Sequence, residues 1–317
     1  MSEVEAPFQV RLRQIRLEAD GILSFELVSP EGAALPPFTA GGHIDVLMPD
    51  AMVRSYSLAN APSDTHRYLI AVARDAESRG GSVWMHDVPR VGDLLTIHPP
   101  RNLFPLNEAA PHTIFIGGGI GITPLMAMIA RLQALGRSWQ LHYAARSPQQ
   151  AAFADELRAR GEPVHFQFLS ETPALLDLDR IVREAPAGTH LYCCGPAGMI
   201  DAYIKAGAQR PAEFIHFERF AAAQAAATEG GFDIVLARSD RRFTVEAGKT
   251  ILDVLLDNGI NVQYACSEGI CGTCRIGVLE GQPDHRDDYL TDEEKAANQS
   301  IMVCCSGSRS ERLVLDL

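Results

Sequence analysis

Basic side chains are in short supply: 28 Lys and Arg stand against 40 Asp and Glu, a formal net charge of −12 with His neutral. Phosphate backbones are held by Lys and Arg, so this balance argues against a nucleic-acid partner. An export signal is missing too, because the amino terminus, MSEVEAPFQV, has two early Glu residues, no basic start and no apolar stretch. The cytoplasm is the expected location. One uncharged run, Ala109 to Ala130, is long enough to cross a bilayer. It contains Gly117, Gly118, Gly119, Gly121, Pro111 and Pro124, a composition that assigns it to a strand, a loop and a helix start, so no membrane contact is expected. No Walker loop, HExxH zinc motif, Ser-His-Asp set or internal repeat is found.

What is present begins with 317 residues of ordinary globular composition, 46% hydrophobic and 21% charged. That length alone suggests about two domains. The seven cysteines are an odd number in a chain without an export signal, which argues for metal or redox chemistry over a disulfide framework.

Residues 1–106 read as short alternating strands separated by turns, among them Ile22 to Val28, His43 to Leu47, Arg54 to Leu58 and Tyr68 to Val72. This predicts an antiparallel β-barrel or sandwich. In residues 107–220 strand and helix signals alternate. The strands are Thr113 to Ile116, Trp139 to Ala144, Val164 to Leu169 and His190 to Cys194; the helices are Pro124 to Leu135, Gln149 to Arg160 and Pro196 to Ala208. This predicts an α/β domain on a parallel sheet. Residues 221–230, AAAQAAATEG, read as a linker. Residues 231–317 form a third unit, in which Thr250 with Asp253 and Thr291 with Glu294 are spaced as helix-starting capping boxes.

The strongest chemical signal is Cys266-x4-Cys271-x2-Cys274, with Cys304 following after 29 further residues. Four thiolates hold a 2Fe-2S cluster, and this is the plant-type spacing. Gly269 and Gly272 suit the tight loop that three cysteines in nine residues require. A four-cysteine zinc site would come as two separated short pairs, and a metal-free set of buried thiols is the remaining alternative. Cys305 reads as a buried bystander, although its adjacency to Cys304 makes the fourth ligand the weakest part of the motif.

The segment Thr113 to Leu125 is strand, glycine turn, helix start, which sets free backbone N–H groups and a helix dipole against a phosphate. It lacks the Rossmann spacing and the acidic residue expected after the next strand, where Arg146 stands; a tight turn alone would also explain the glycines. Cys194-Gly195-Pro196 ends another strand, at the edge where open α/β sheets bind ligands. In Arg54-Ser55-Tyr56-Ser57 alternation puts Arg54 and Tyr56 on one face, where a cation and an aromatic plane meet a ligand carrying both phosphate and ring. Arg79-Gly80-Gly81-Ser82 offers a second anion site. Taken alone, an Arg beside a Tyr on a strand is a solvated surface pair.

These motifs, in this order and over nearly the whole chain, resemble the phthalate dioxygenase reductase family within the ferredoxin-NADP reductase superfamily; vanillate O-demethylase reductases are similar. The resemblance implies an FMN-binding barrel, a nicotinamide-nucleotide domain and a β-grasp ferredoxin. It places Arg54, Gly80, Gly81 and Ser82 at the flavin phosphate, and Tyr56 and Ser57 beside the ring. It also places Gly118, Gly119, Thr123, Cys194, Gly195 and Pro196 at the nucleotide, with Thr123 and Cys194 by the nicotinamide and Phe220 approaching the flavin. NADH is the implied donor, with NADPH open because Arg146 suits a 2′-phosphate.

A flavin between them reconciles a two-electron hydride donor with a one-electron cluster. The expected function is the reductase component of a two-component, Rieske-type oxygenase or demethylase, a monomer that passes electrons to a separate oxygenase. Direct reduction of a small acceptor such as a quinone, or an iron–sulfur redox sensor, are the rivals. Between Gly231 and Leu317 lie 15 acidic and 9 basic residues, with Asp284, Asp287, Asp288, Asp292, Glu293 and Glu294 crowded between the third and fourth cysteines. That crowding predicts an acidic docking face around the cluster.

Overall fold

The computed structural model describes residues 6–49, 52–75, 80–159, 163–220, 224–264 and 266–317. Arg79, Arg160 and the first three linker residues, Ala221 to Ala223, lie outside them. The chain packs into two compact units, Met1–Arg219 and Phe220–Leu317. Among the described residues no helix is long and apolar enough to cross a membrane.

The first unit opens with strands β1 (Phe8–Ala19), β2 (Ile22–Val28), β3 (His43–Leu47), β4 (Val53–Ser57) and β5 (Tyr68–Ala73), helix α1 (Gly81–Asp87) and strand β6 (Leu94–Ile97). The sheet runs β4-β3-β6-β1-β2-β5, with antiparallel pairing throughout. Beyond β4, Leu58 bridges Ile70 and the Ala59 N–H donates to the Leu69 carbonyl at 2.7 Å, which brings the two edges together as a barrel. Val10, Leu12, Phe25, Leu27, Ile44, Val46 and Ile70 fill the interior, the alternating residues of their strands.

The same unit continues with β7 (His112–Gly118), α2 (Ile122–Ala134), β8 (Ser138–Ala145), α3 (Ala154–Ala159), β9 (Val164–Phe168), α4 (Leu178–Glu184), β10 (His190–Cys194), α5 (Ala197–Gly207) and β11 (Ile215–Glu218). All strands are parallel, in the order β11-β10-β7-β8-β9. The buried run of β7 faces both ways: Phe115 packs with Leu125 and Ile129 of α2, while Ile114 and Ile116 pack with Ile181 of α4 and Ile200 of α5. The chain leaves β7 towards β8 and returns on its other side as β10, so β7 and β10 flank a topological switch point. The single helix expected over Gln149 to Arg160 is instead a 3-10 turn at Pro148–Gln150 followed by α3 from Ala154. Between them Phe153 takes a left-handed φ of 58° and ends the run. Helix α4, absent from the expected strand-and-helix pattern, starts at the Asp177 cap and buries Leu178, Ile181 and Val182.

The second unit comprises β12 (Phe232–Leu236), β13 (Arg241–Val245), α6 (Ile251–Asp257), β14 (Arg275–Glu280), β15 (Pro283–Asp284), α7 (Asp292–Ala297), β16 (Ser300–Met302), β17 (Gly307–Ser308) and β18 (Arg312–Leu315). Its sheet, β13-β12-β18-β14-β16, is mixed: β12 and β18 run parallel while their outer neighbours are antiparallel. Ile251, Leu252, Val254 and Leu255 of α6 pack onto it. This is the expected α+β grasp. Both capping boxes form, at Thr250 with Asp253 and at Thr291 with Glu294.

Candidate functional site

On β4, Arg54 and Tyr56 are both half-buried and share the face that alternation predicts; the nearby Arg54 charge pulls the Tyr56 phenol down while burial holds it well above its ordinary value. Arg54 lies across the first residue of α1: a Cβ on Gly81 would sit 2.7 Å from Arg54 Cγ and 2.8 Å from its Nε. Gly80 enters that turn at φ 95°, and the Ser82 hydroxyl accepts from the Asp75 N–H at 3.1 Å. A guanidinium laid along a turn that only glycine permits is a cradle for an anion, and it fits the phosphate of a flavin mononucleotide. Ser57 is buried and opposite His43 of β3. On the outer face of the same strands Ser55 donates to Asp45, which is also paired with Arg101, so β3 and β4 are held in register.

At the switch point the two glycine elements touch. A Cβ on Gly118 would lie 2.6 Å from Met199 Sδ and 2.7 Å from Pro196 Cδ, one on Gly195 would lie 3.1 Å from Gly118 Cα, and one on Gly121 would overlap the Cys194 carbonyl. Gly119, at φ 53°, has open space around it. Three of these glycines are therefore required by the close approach of two turns, which explains why their spacing departs from the Rossmann pattern. Thr123 is buried, and its hydroxyl donates to the Ile120 carbonyl at 3.0 Å. Cys194 is fully buried, so its thiol stays protonated: burial, then Glu218 and Cys193, push it well above the ordinary value. Arg146 is exposed at the end of β8, and Phe220 opens the second unit with its ring partly exposed.

Sequence reasoning missed Glu218. It ends β11 directly beside Cys194, and burial raises its carboxyl from an ordinary 4.5 to about 8. Its Oε2 is buried without a hydrogen-bond partner. An orphaned carboxylic acid at the carboxyl edge of the sheet is a group placed for a ligand, and it fits a nicotinamide amide. The available signal was a lone acid at the end of the last strand of the α/β pattern.

In the second unit Cys266, Cys271, Cys274 and Cys304 are all buried. The thiols are close neighbours, Cys266 beside Cys271 and Cys274 beside Cys304, and each shifts the acidity of the other. The neighbouring Cys266 thiol lowers Cys271 to about 5 and is itself raised. Backbone amides surround the sulfurs: Glu268 N–H donates to Cys266 Sγ at 3.3 Å, and backbone bonds from Ile270, Thr273 and Gly269 favour the thiolates of Cys266, Cys271 and Cys304. Among the described residues no three His, Cys, Asp or Glu side chains are arranged to hold a single metal ion. Two thiol pairs ringed by amide donors instead fit a two-iron cluster.

The acidic crowd does not form one open face. Asp284 is paired with Arg286 and Arg309, Asp287 is buried, and Glu294 caps α7 while pairing with Arg275. Half of the six carboxylates are consumed inside the unit, where they satisfy backbone and guanidinium groups.

A barrel, a switch-point α/β sheet and a four-cysteine β-grasp define the chain as an iron–sulfur electron-transfer oxidoreductase. Residues 234–308 match the family of 2Fe-2S iron-sulfur cluster binding domains, and residues 95–212 match the N-terminal domain of the dimethylamine monooxygenase subunit DmmA-like family. The chain is 50% identical to the phenoxybenzoate dioxygenase subunit beta of Ectopseudomonas oleovorans, covering 98% of each. It is 46% identical to the tetrachlorobenzoquinone reductase of Sphingobium chlorophenolicum, covering 100% of each. Its structure is similar to phthalate dioxygenase reductase, described as modular for electron transfer from pyridine nucleotides to 2Fe-2S, with a TM-score of 0.83, 38% identity and 98% of each chain covered. The chain belongs to the phthalate dioxygenase reductase family of oxygenase reductases.

Proposed function

We propose that the chain carries electrons from NADH, through FMN, to a 2Fe-2S cluster and on to a separate terminal oxygenase of Rieske type. The arrangement that carries this reading is the gathering of Cys304 with the three buried cysteines of the amide-rich loop, on the same chain as the Arg54–Gly81 cradle and the Gly118–Gly195 crevice. We assign residues 1–106 to flavin binding, 107–220 to nucleotide binding and 231–317 to the cluster, joined by a linker at 221–230. The protein works as a cytoplasmic monomer.

A bound flavin would supply the step between a two-electron donor and a one-electron acceptor, accepting one hydride from the nicotinamide and passing its two electrons singly to the cluster. The protein's own residues bind and orient. Arg54 and the Gly80-Gly81-Ser82 turn hold the phosphate, Tyr56 stacks on the ring, and Ser57 bonds its edge. Gly118, Gly119, Gly195 and Pro196 shape the nucleotide crevice. Thr123 and Cys194 form its uncharged floor, and Glu218 keeps a proton for the nicotinamide amide. Cys266, Cys271, Cys274 and Cys304 are the iron ligands. The exposed carboxylates of Asp292 and Glu293 are available for docking a basic partner.

The pure protein should show flavin and iron–sulfur absorption that bleaches on anaerobic addition of NADH, and released flavin should chromatograph as FMN. Colourless protein, or zinc in place of iron, rejects the reading. NADPH turning over better than NADH assigns Arg146 to a 2′-phosphate. The identity to a tetrachlorobenzoquinone reductase over its whole length supports a second reading, direct quinone reduction. Turnover of quinones without any oxygenase distinguishes the two.

A further inference from the structure

Asp287 is 2% exposed, and its carboxylate is fully engaged. Oδ2 accepts from the N–H groups of Tyr289 at 3.2 Å and Leu290 at 2.8 Å, and Oδ1 accepts from the Ser306 hydroxyl at 3.4 Å. Among the described residues the one ionisable side chain paired with it is His285, whose Nδ1 lies 3.7 Å from Oδ1. Among the described residues no guanidinium or ammonium group pairs with the carboxylate itself; the Lys295 ammonium bonds the backbone carbonyl of the same residue.

The backbone around Asp287 is clamped to the cysteine loop. Gly269 lies between them: a Cβ there would meet Asp287 Cα at 3.2 Å and Cys305 Sγ at 2.5 Å. The Gly269 carbonyl accepts from the Asp288 N–H at 3.0 Å, and Gly269 packs against Cys305, the neighbour of Cys304 in sequence. The Tyr289 ring covers Gly272, where any Cβ would overlap it, and Lys295 Nζ donates to the Asp287 carbonyl at 2.6 Å. Ser306, which donates to Asp287, stands two residues after Cys304. The Asp287 segment thus joins the two ligand segments, its backbone packed on Gly269 in the loop of the first three ligands and its carboxylate bonded to Ser306 beyond the fourth.

We propose that Asp287 is a positioning residue that tunes the cluster: it locks the two ligand segments together and sets a buried negative charge against the incoming electron, holding the reduction potential down. In a poorly screened interior a fixed charge this close to the ligands opposes addition of another. The proposal rests on the cluster assignment of this unit.

The test is an anaerobic, EPR-monitored redox titration of the full-length holoprotein. Asp287→Asn keeps an acceptor oxygen for the Tyr289 and Leu290 amides but removes the charge. It should retain iron and shift the reduction equilibrium about tenfold towards the reduced cluster, 59 mV for a one-electron couple. Asp287→Glu should return most of that shift, and Asp288→Asn, which removes a charge beside it in sequence, should move the equilibrium less. A wild-type potential in Asp287→Asn overturns the proposal. If that variant loses its iron, Ser306→Ala reads the same charge from the other side: without the hydroxyl the carboxylate is less compensated and the potential should fall, and an unchanged potential again overturns the idea. Absence of a cluster signal from the wild-type protein rejects the cluster assignment itself.

Discussion

Replacing Glu218 by glutamine should make the protein more stable at neutral and alkaline pH. Burial raises this carboxyl from 4.5 to about 8, so between those values the folded chain keeps a proton that the unfolded chain releases. Stability is therefore lost as pH rises through that window, by about 1.4 kcal/mol per pH unit, and is level below and above it. At about pH 7 the accumulated cost is about 3 kcal/mol. Glutamine keeps the shape, offers an N–H donor and cannot ionise, so the variant escapes the cost. For a unit of this size each kcal/mol moves Tm by about 2–4 °C, giving a gap of about 10 °C near neutrality. Calorimetry of both proteins without nucleotide should show that gap opening from small values at about pH 5 and levelling near about pH 8. A gap that stays constant with pH would mean that Glu218 titrates as an ordinary surface acid and that burial does not govern it.

Gly121→Ala should destabilise the first unit by more than about 2 kcal/mol and raise KM for NADH, because the new methyl meets the Cys194 backbone carbonyl and backbone cannot turn aside; cluster EPR should be unchanged, and unaltered nucleotide kinetics would remove the crevice from the site. Arg54→Ala should weaken flavin retention by about 2 kcal/mol, the value of a charge-assisted hydrogen bond, read as flavin per chain after gel filtration. Cys271→Ser should leave the rate of flavin reduction by NADH intact while iron content and cytochrome c reduction fall. Undiminished cytochrome c reduction would show that electrons leave elsewhere.

Much of the site was legible in linear order. Cys266, Cys271 and Cys274 share one loop, while the proximity of Cys304 to Cys274, which favours it over Cys305 as the fourth ligand, is a tertiary fact. Arg54 and Tyr56 follow from strand alternation, but that Arg54 rests on Gly81 depends on a contact between segments 27 residues apart. Composition cannot tell a solvated carboxylate from one engaged within the fold: in the acidic crowd Asp287 anchors a loop and Glu294 caps a helix. The break at Phe153 likewise has no local signal, since the residue is apolar and packed in the core.

By itself the sequence determined what is local: strand and helix periods, capping boxes, glycine turns and the cysteine spacing, each set by interactions within a few residues. Only the tertiary structure decided which buried groups lack partners. Glu218 becomes a proton-bearing acid because the fold buries its carboxyl at the end of β11, beside Cys194. Asp287 becomes a charge beside the cluster because Gly269 lets two distant segments close on it. Desolvation is a property of the whole fold, so the acidities and potentials that follow from it cannot be read from residue order.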